Sequence, residues 1–154
     1  MNRAFGRLAA AAPVLIRLIV GGMMLFHGLD KLNSGPANFG QFLGQLGLPA
    51  PAALGWLVTL LELVGGGMLI IGLLSRLVAL LMTIELICAI ALVTGANGLI
   101  ATEGVGFERD LAYIAGFLAI LLLGPGKPSL DHALKLEEGT LTLAERPRMA
   151  GTRS

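Results

Sequence analysis

The chain has 154 residues, of which 55% are hydrophobic and only 14% charged, and its formal net charge is +1. A soluble domain usually carries about 25% charged residues, and the mean hydropathy of +0.82 is correspondingly high. This composition excludes an ordinary soluble enzyme, and the lack of a basic patch with interleaved aromatic residues argues against nucleic-acid binding. We therefore expect one polytopic membrane domain over residues 1–135.

The first predicted helix covers residues 13–32. Its basic, apolar beginning is typical of a signal peptide, but Arg17 interrupts the apolar stretch and no small-residue cleavage site follows, so we expect an uncleaved span. The helical period places Arg17, His27 and Lys31 on one face. These side chains could line a polar site. Alternatively, Arg17 and Lys31 snorkel to the membrane interface and His27 is a hydrogen-bonded structural residue.

A short amphipathic helix is predicted at residues 37–47. Its apolar residues recur with helical spacing, namely Phe39, Phe42, Leu43 and Leu46, and polar residues occupy the other side. About ten residues are too few to cross a bilayer. We expect this helix to lie flat at the membrane surface or to fold over the mouth of the bundle.

Two further spans each carry one acid near the middle. Residues 52–74 contain a single charge, Glu62, and residues 77–95 contain Glu85. An unpaired acid at mid-membrane costs at least about 2.5–3.5 kcal/mol, so both should face the protein interior and find partners. Either acid could be buried for structure alone, but two exceed what the packing of four helices needs. We interpret them as candidate proton carriers, and if they touch, they cannot both be ionised.

The fourth predicted span covers residues 107–124 and has Glu108 near its start. A polar tail, residues 136–154, is expected to be cytoplasmic and disordered. With both termini in the cytoplasm, nine of the 11 Lys and Arg residues lie on the cytoplasmic side, and only Lys31 and Arg109 lie outside. This distribution predicts an all-α, four-helix bundle with N-in/C-in orientation in the inner (cytoplasmic) membrane.

Depth counting at 1.5 Å per residue permits a polar chain that crosses the bundle. Arg17 would begin it below Glu85, and Glu62 and His27 would continue it toward the outer surface. Such a chain could bind a quinone carbonyl, a cation or a proton.

The sequence contains few residues or motifs that could carry out redox chemistry. Cys88 is the single cysteine, so the chain has no intramolecular disulfide and no CxxC pair. Only one histidine, His27, lies in a predicted span, which excludes a haem held by two intramembrane histidines of one chain. No flavin or metal motif is present. Electrons would have to come through a bound quinone or from a protein partner.

The order of several motifs resembles the DoxX family of small four-helix membrane proteins. The motifs are Arg17 followed by GLDKL (Gly28–Leu32), LGLP before the second span, ELVGGGMLIIGLLSR (Glu62–Arg76), Glu108, and GPGKPSLD (Gly124–Asp131). The resemblance extends from Val14 to Asp131 and implies the four-helix fold. It also implies functional roles for the matching polar positions Arg17, Lys31, Glu62 and Glu108. Glu85 is not a position that the family pattern includes.

The resemblance implies a function linked to membrane redox chemistry, because relatives include the small subunit of an archaeal thiosulfate:quinone oxidoreductase and membrane partners of oxidative-stress proteins. We expect a quinone-linked subunit in the lipid bilayer, with an oxidoreductase partner or further copies of the chain. The expected ligand residues are Arg17, His27, Lys31, Glu62 and Glu108, with Glu62 or Glu85 carrying protons. The alternatives are a non-enzymatic assembly, chaperone or interaction protein and, third, a transporter of protons or small solutes.

Overall fold

The computed structural model describes residues 2–101 and 104–136, with side chains from residue 9. The helices are α1 (Asn2–Ser34), α2 (Pro36–Gln45), α3 (Pro51–Leu60), a π-helical segment (Leu61–Gly65), α4 (Gly66–Ile71), α5 (Ser75–Leu92), a 3-10 turn (Thr94–Asn97), α6 (Glu108–Leu123) and α7 (Leu130–Ala133). The described residues contain no β-strand. The predicted all-α class is confirmed.

Three of the described helices are long and apolar enough to cross a membrane. They are Ala9–Ser34 of α1, the continuous helix Pro51–Ile71 that joins α3, the π segment and α4, and α5. Helix α6 has 16 residues, fewer than the roughly 20 that a crossing usually needs. The chain is thus a membrane protein with several apolar spans, whereas the fourth crossing and the N-in/C-in orientation remain predictions.

Glycines bring α1 and the helix Pro51–Ile71 into backbone contact. Gly28 lies against the backbone of Leu63, and Gly66 lies against Leu25, so that a side chain at either glycine would collide with the other helix. Small residues permit this close approach between membrane helices. The two helices are antiparallel, and Lys31, three residues beyond Gly28, is therefore level with the π segment.

The amphipathic helix α2 folds onto the bundle, which is one of the two placements expected for it. Gly55 of α3 packs against Pro36 and Gly40, and Gly40 in turn contacts Pro51. These pairings make α2 and α3 an antiparallel helical hairpin. Pro36, Gly40 and Leu43 of α2 are consequently buried, whereas Phe42 and Leu46 remain exposed.

Helix α6 packs along α5 and α1 and closes the core. Its buried positions are Asp110, Tyr113, Phe117 and Ile120, which follow the helical period. The core that they join comprises Val20, Met24, Leu69, Val78, Ala79, Met82, Leu86, Tyr113, Phe117 and Ile120. One polar residue, Asp110, thus begins an otherwise apolar face.

The segment after α6 ties one end of the bundle together. A nitrogen of the Arg17 guanidinium donates a hydrogen bond to the carbonyl oxygen of Pro128. The fully buried carboxylate of Asp131 accepts hydrogen bonds from the backbone nitrogens of Leu74 at 2.6 Å and Ser75 at 2.9 Å. These contacts join α1, the turn between α4 and α5, and the chain after α6. The predicted disordered tail, residues 136–154, lies outside the described residues except for its first.

Candidate functional site

A cavity of about 500 Å³ lies between α1, α2, α3, the π segment, α5 and the first turn of α6. Its volume falls in the range of about 300–1,000 Å³ that is typical of ligand pockets. Most of its walls are apolar. The polar and ionisable lining residues are His27, Lys31, Glu62, Glu85, Cys88, Thr94, Arg109, Asp110 and Tyr113.

A buried ion pair joins α1 to the π segment. The Nζ atom of Lys31 lies 2.7 Å from Oε1 and 2.5 Å from Oε2 of Glu62, and the two side chains are 18% and 5% exposed. The same Nζ atom is 5.1 Å from the centroid of the Phe39 ring, a cation–π distance. Glu62 therefore has the interior partner that its depth in the span predicts, and that partner is Lys31.

The segment that carries Glu62 is not a regular α-helix. Residues Leu61–Gly65 form a π-helical turn, with Glu62 and Gly65 buried. Such turns inside α-helices are rare and frequently occur at functional sites. The irregular turn coincides with the ion pair and with the wall of the cavity.

Glu85 on α5 is the neighbour of Glu62 across the cavity. The two carboxyl groups are close enough to interact electrostatically, so both cannot readily be ionised at the same time. The Oε2 atom of Glu85 is buried and has no hydrogen-bond partner among the described residues. Glu62 and Glu85 thus form the near-pair of acids that the sequence suggested.

A second ion pair lies where α5 ends and α6 begins. Asp110, 1% exposed, accepts a hydrogen bond from the Thr94 hydroxyl at 2.7 Å. Its other oxygen lies 3.2 Å from a guanidinium nitrogen of Arg109. Glu62 and Asp110 therefore each have a cation beside them, whereas the buried Oε2 atom of Glu85 has no hydrogen-bond partner in the described residues.

His27 and Tyr113 form a further polar edge of the cavity. The Nδ1 atom of His27 lies 2.8 Å from the Met23 carbonyl oxygen, so Nδ1 is the donor and Nε2 is the acceptor nitrogen of the neutral ring. The rings of His27 and Tyr113 meet edge to face, with centroids 5.9 Å apart. Both residues present hydrogen-bonding groups close to the acids.

Of the predicted site residues, the structure brings together His27, Lys31, Glu62 and Glu85 at the cavity. It does not bring Arg17 there. Arg17 lies one turn before Gly21, which packs against Leu69 of α4. Arg17 is therefore level with the end of α4, where its guanidinium contacts the chain after α6. The predicted contact between Arg17 and Glu85 is therefore wrong: the helical face was predicted correctly, but the depth was not.

Glu108 is also absent from the cavity lining. It is exposed on the first turn of α6, whereas Asp110 is buried. Two residues correspond to 200° of helix rotation, so the two acids point to nearly opposite sides. The helical spacing of Asp110, Tyr113, Phe117 and Ile120 was the signal that could have identified Asp110, and with it Thr94 and Arg109.

Comparison with known proteins gives a family match and several similar proteins. The DoxX family model matches residues 12–95. An uncharacterised membrane protein of Mycobacterium tuberculosis, Rv3486, is 31% identical over 134 residues, which cover 79% of this chain and 80% of the relative. CatD of Bacillus subtilis, named as a candidate oxidoreductase, is 34% identical over 90 residues, or 58% of this chain and 62% of CatD. No solved structure matches.

Proposed function

The chain belongs to the DoxX family of membrane proteins, and we propose that it is a quinone-binding subunit of, or partner to, a membrane redox complex. The observation that carries the proposal is at Glu85, which lines a mostly apolar cavity and whose buried Oε2 atom lacks a hydrogen-bond partner among the described residues. The name of CatD adds a link between one relative and oxidoreductase activity.

The cavity fits a quinone head group in size and chemistry. A volume of about 500 Å³ accommodates a substituted ring, and the apolar walls suit its faces. Its carbonyl oxygens need hydrogen-bond donors, which Lys31, Arg109 and Tyr113 can supply. When bound, a quinone supplies a carrier of two electrons and two protons, and the electrons would come from a partner oxidoreductase.

The residues of this chain would handle the protons. Glu85 can hold or release a proton at its unpartnered oxygen without breaking an ion pair, whereas Glu62 and Asp110 each have a cationic neighbour. Glu62 lines the same cavity beside Glu85 and can exchange a proton with it. The acceptor nitrogen of His27 offers a second position for proton exchange at the same cavity.

A binding experiment tests the proposal. Purified protein in detergent is titrated calorimetrically with duroquinone (tetramethyl-1,4-benzoquinone), which has no tail and no open ring position. We expect saturable binding, and we expect Glu85→Leu to weaken it by about two- to tenfold, because the protonated Glu85 carboxyl donates a hydrogen bond to a quinone carbonyl and a bond between neutral groups contributes about 0.5–1.5 kcal/mol.

The matched control is Glu108→Leu, since Glu108 is exposed and does not line the cavity. This variant should bind duroquinone as the wild type does. Absence of binding to the wild type, or equal binding by the two Leu variants, would overturn the proposal.

A further inference from the structure

The cavity continues into a cleft between α3 and α5. The continuous helix Pro51–Ile71, which begins with α3, is joined to α5 by a short turn, next to which α4 packs against α5. Further from the turn they diverge, because α3 packs on α1 and α2 instead of α5. The cleft is therefore open on the side of the bundle, between two helices that are candidate membrane spans.

Apolar side chains form both edges of this cleft. Leu57 of α3 and Leu81 and Ile84 of α5 line the cavity, and they are 62%, 41% and 50% exposed. Exposed apolar side chains on a membrane-spanning helix face lipid. The cavity consequently reaches the hydrocarbon region of the bilayer through a gap without charged edges.

The charges lie at a different part of the cavity. Lys31, near the end of α1, forms a largely buried pair with Glu62, and Arg109 is paired with Asp110 at the start of α6. A ligand that satisfies both regions has a polar head and a long apolar chain.

We infer that the cleft is a lateral portal that holds the hydrocarbon tail of a lipid quinone while the head group lies at Glu85. The inference rests on the proposed function and specifies its ligand class, a long-tailed quinone that enters from the bilayer.

The experiment compares two quinones that differ only in the tail. Duroquinone carries four methyl groups, and 2,3,5-trimethyl-6-decyl-1,4-benzoquinone carries a decyl chain in place of one of them. Both rings are fully substituted, so neither adds to the thiol of Cys88, which also lines the cavity. Dissociation constants are measured for both compounds in the same detergent.

Two variants narrow the portal from opposite edges, Ile84→Trp on α5 and Leu57→Trp on α3. Their controls are Ile87→Trp and Leu60→Trp, which change residues of the same type on the same helices. Ile87 and Leu60 are 53% and 46% exposed, and neither lines the cavity.

We expect both portal variants to weaken binding of the decyl quinone at least tenfold and to change duroquinone binding less than twofold. Both control variants should bind the two quinones as the wild type does. If wild-type protein binds duroquinone but the portal variants and controls treat the decyl quinone alike, the portal is refuted and the proposed function stands. The portal is likewise refuted if both portal variants weaken the two quinones equally, because the substitutions then disturb the head-group site and not the tail. If the wild type binds neither quinone, the proposed function itself fails, and the portal fails with it.

Discussion

Lys31 and Glu62 illustrate how a buried ion pair acts in a membrane helix bundle. Removing two charges from water costs desolvation free energy, and their mutual attraction offsets it only when the geometry of the pair is good. Here both carboxylate oxygens lie within 2.7 Å of the Lys31 nitrogen. The pair thus fixes the position of α1 relative to the π segment. Its net contribution to the free energy of unfolding is expected to be small.

The variant Lys31→Met should destabilise the protein strongly, because it leaves the buried carboxylate of Glu62 without its cation. We expect the free energy of unfolding to fall by about 3–5 kcal/mol, measured by SDS titration of the protein in mixed micelles. The double variant Lys31→Met/Glu62→Met should recover most of this loss, since no charge is then left unpaired. Lys127→Met, at an exposed lysine, is the control, and a double variant no better than Lys31→Met would contradict the argument.

The mid-membrane acids were the part of the site that could be predicted at this scale. The cost of an isolated carboxylate in hydrocarbon required Glu62 and Glu85 to face inward. Their partners were not predictable, because hydropathy gives the depth of a residue to within only a few positions. A lysine reaches several ångströms along the helix axis, and thus Lys31 meets Glu62 although it lies near the end of α1.

At the scale of elements, the glycines of α1 set how closely it approaches the helix Pro51–Ile71. A Cβ atom at Gly28 would collide with backbone atoms of Leu63, which cannot rotate away. At Gly22, six residues earlier, a Cβ atom would meet nothing within 4 Å. The two positions therefore separate the effect of packing from that of helix propensity.

Gly28→Ala should lower the free energy of unfolding by about 1–3 kcal/mol, the usual cost of overpacking. Gly22→Ala should be neutral or stabilising by up to about 1 kcal/mol, because alanine favours the helix over glycine. Both values are obtained from the same SDS titration. Equal effects of the two substitutions would show that α1 and the π segment are not in backbone contact.

The helices themselves were largely predictable from apolar runs and helical spacing, including the short amphipathic α2. The π segment was not, because one widened turn leaves the apolar pattern on either side almost unchanged. The choice of Glu108 over Asp110 had a similar origin: the family pattern pointed to Glu108, whereas the buried period of α6 requires Asp110 to face inward. The local sequence pattern therefore predicted where the helices lie in the chain. Which face of a helix points into the bundle could not be predicted in the same way, because it depends on tertiary contacts.

At the scale of the whole molecule, two sets of contacts fix the direction and extent of α6. Near its first turn, Asp110 bonds to Thr94, just beyond the end of α5. After its last turn, Asp131 bonds to the backbone of Ser75, where α5 begins. Helix α6 thus runs antiparallel along the full length of α5, which is a candidate membrane span.

This geometry predicts that α6 crosses the membrane although it has only 16 residues, and that the chain crosses four times with both termini in the cytoplasm. Alkaline phosphatase, active only outside the cytoplasm, and green fluorescent protein, fluorescent only inside, are each fused after Gly98 and after Ser154. The fusions after Gly98, which follows α5, should give phosphatase activity, and those after Ser154 should give fluorescence. Phosphatase activity at both sites would mean that α6 does not cross, and fluorescence after Gly98 would reverse the N-in orientation that the Lys and Arg distribution predicts.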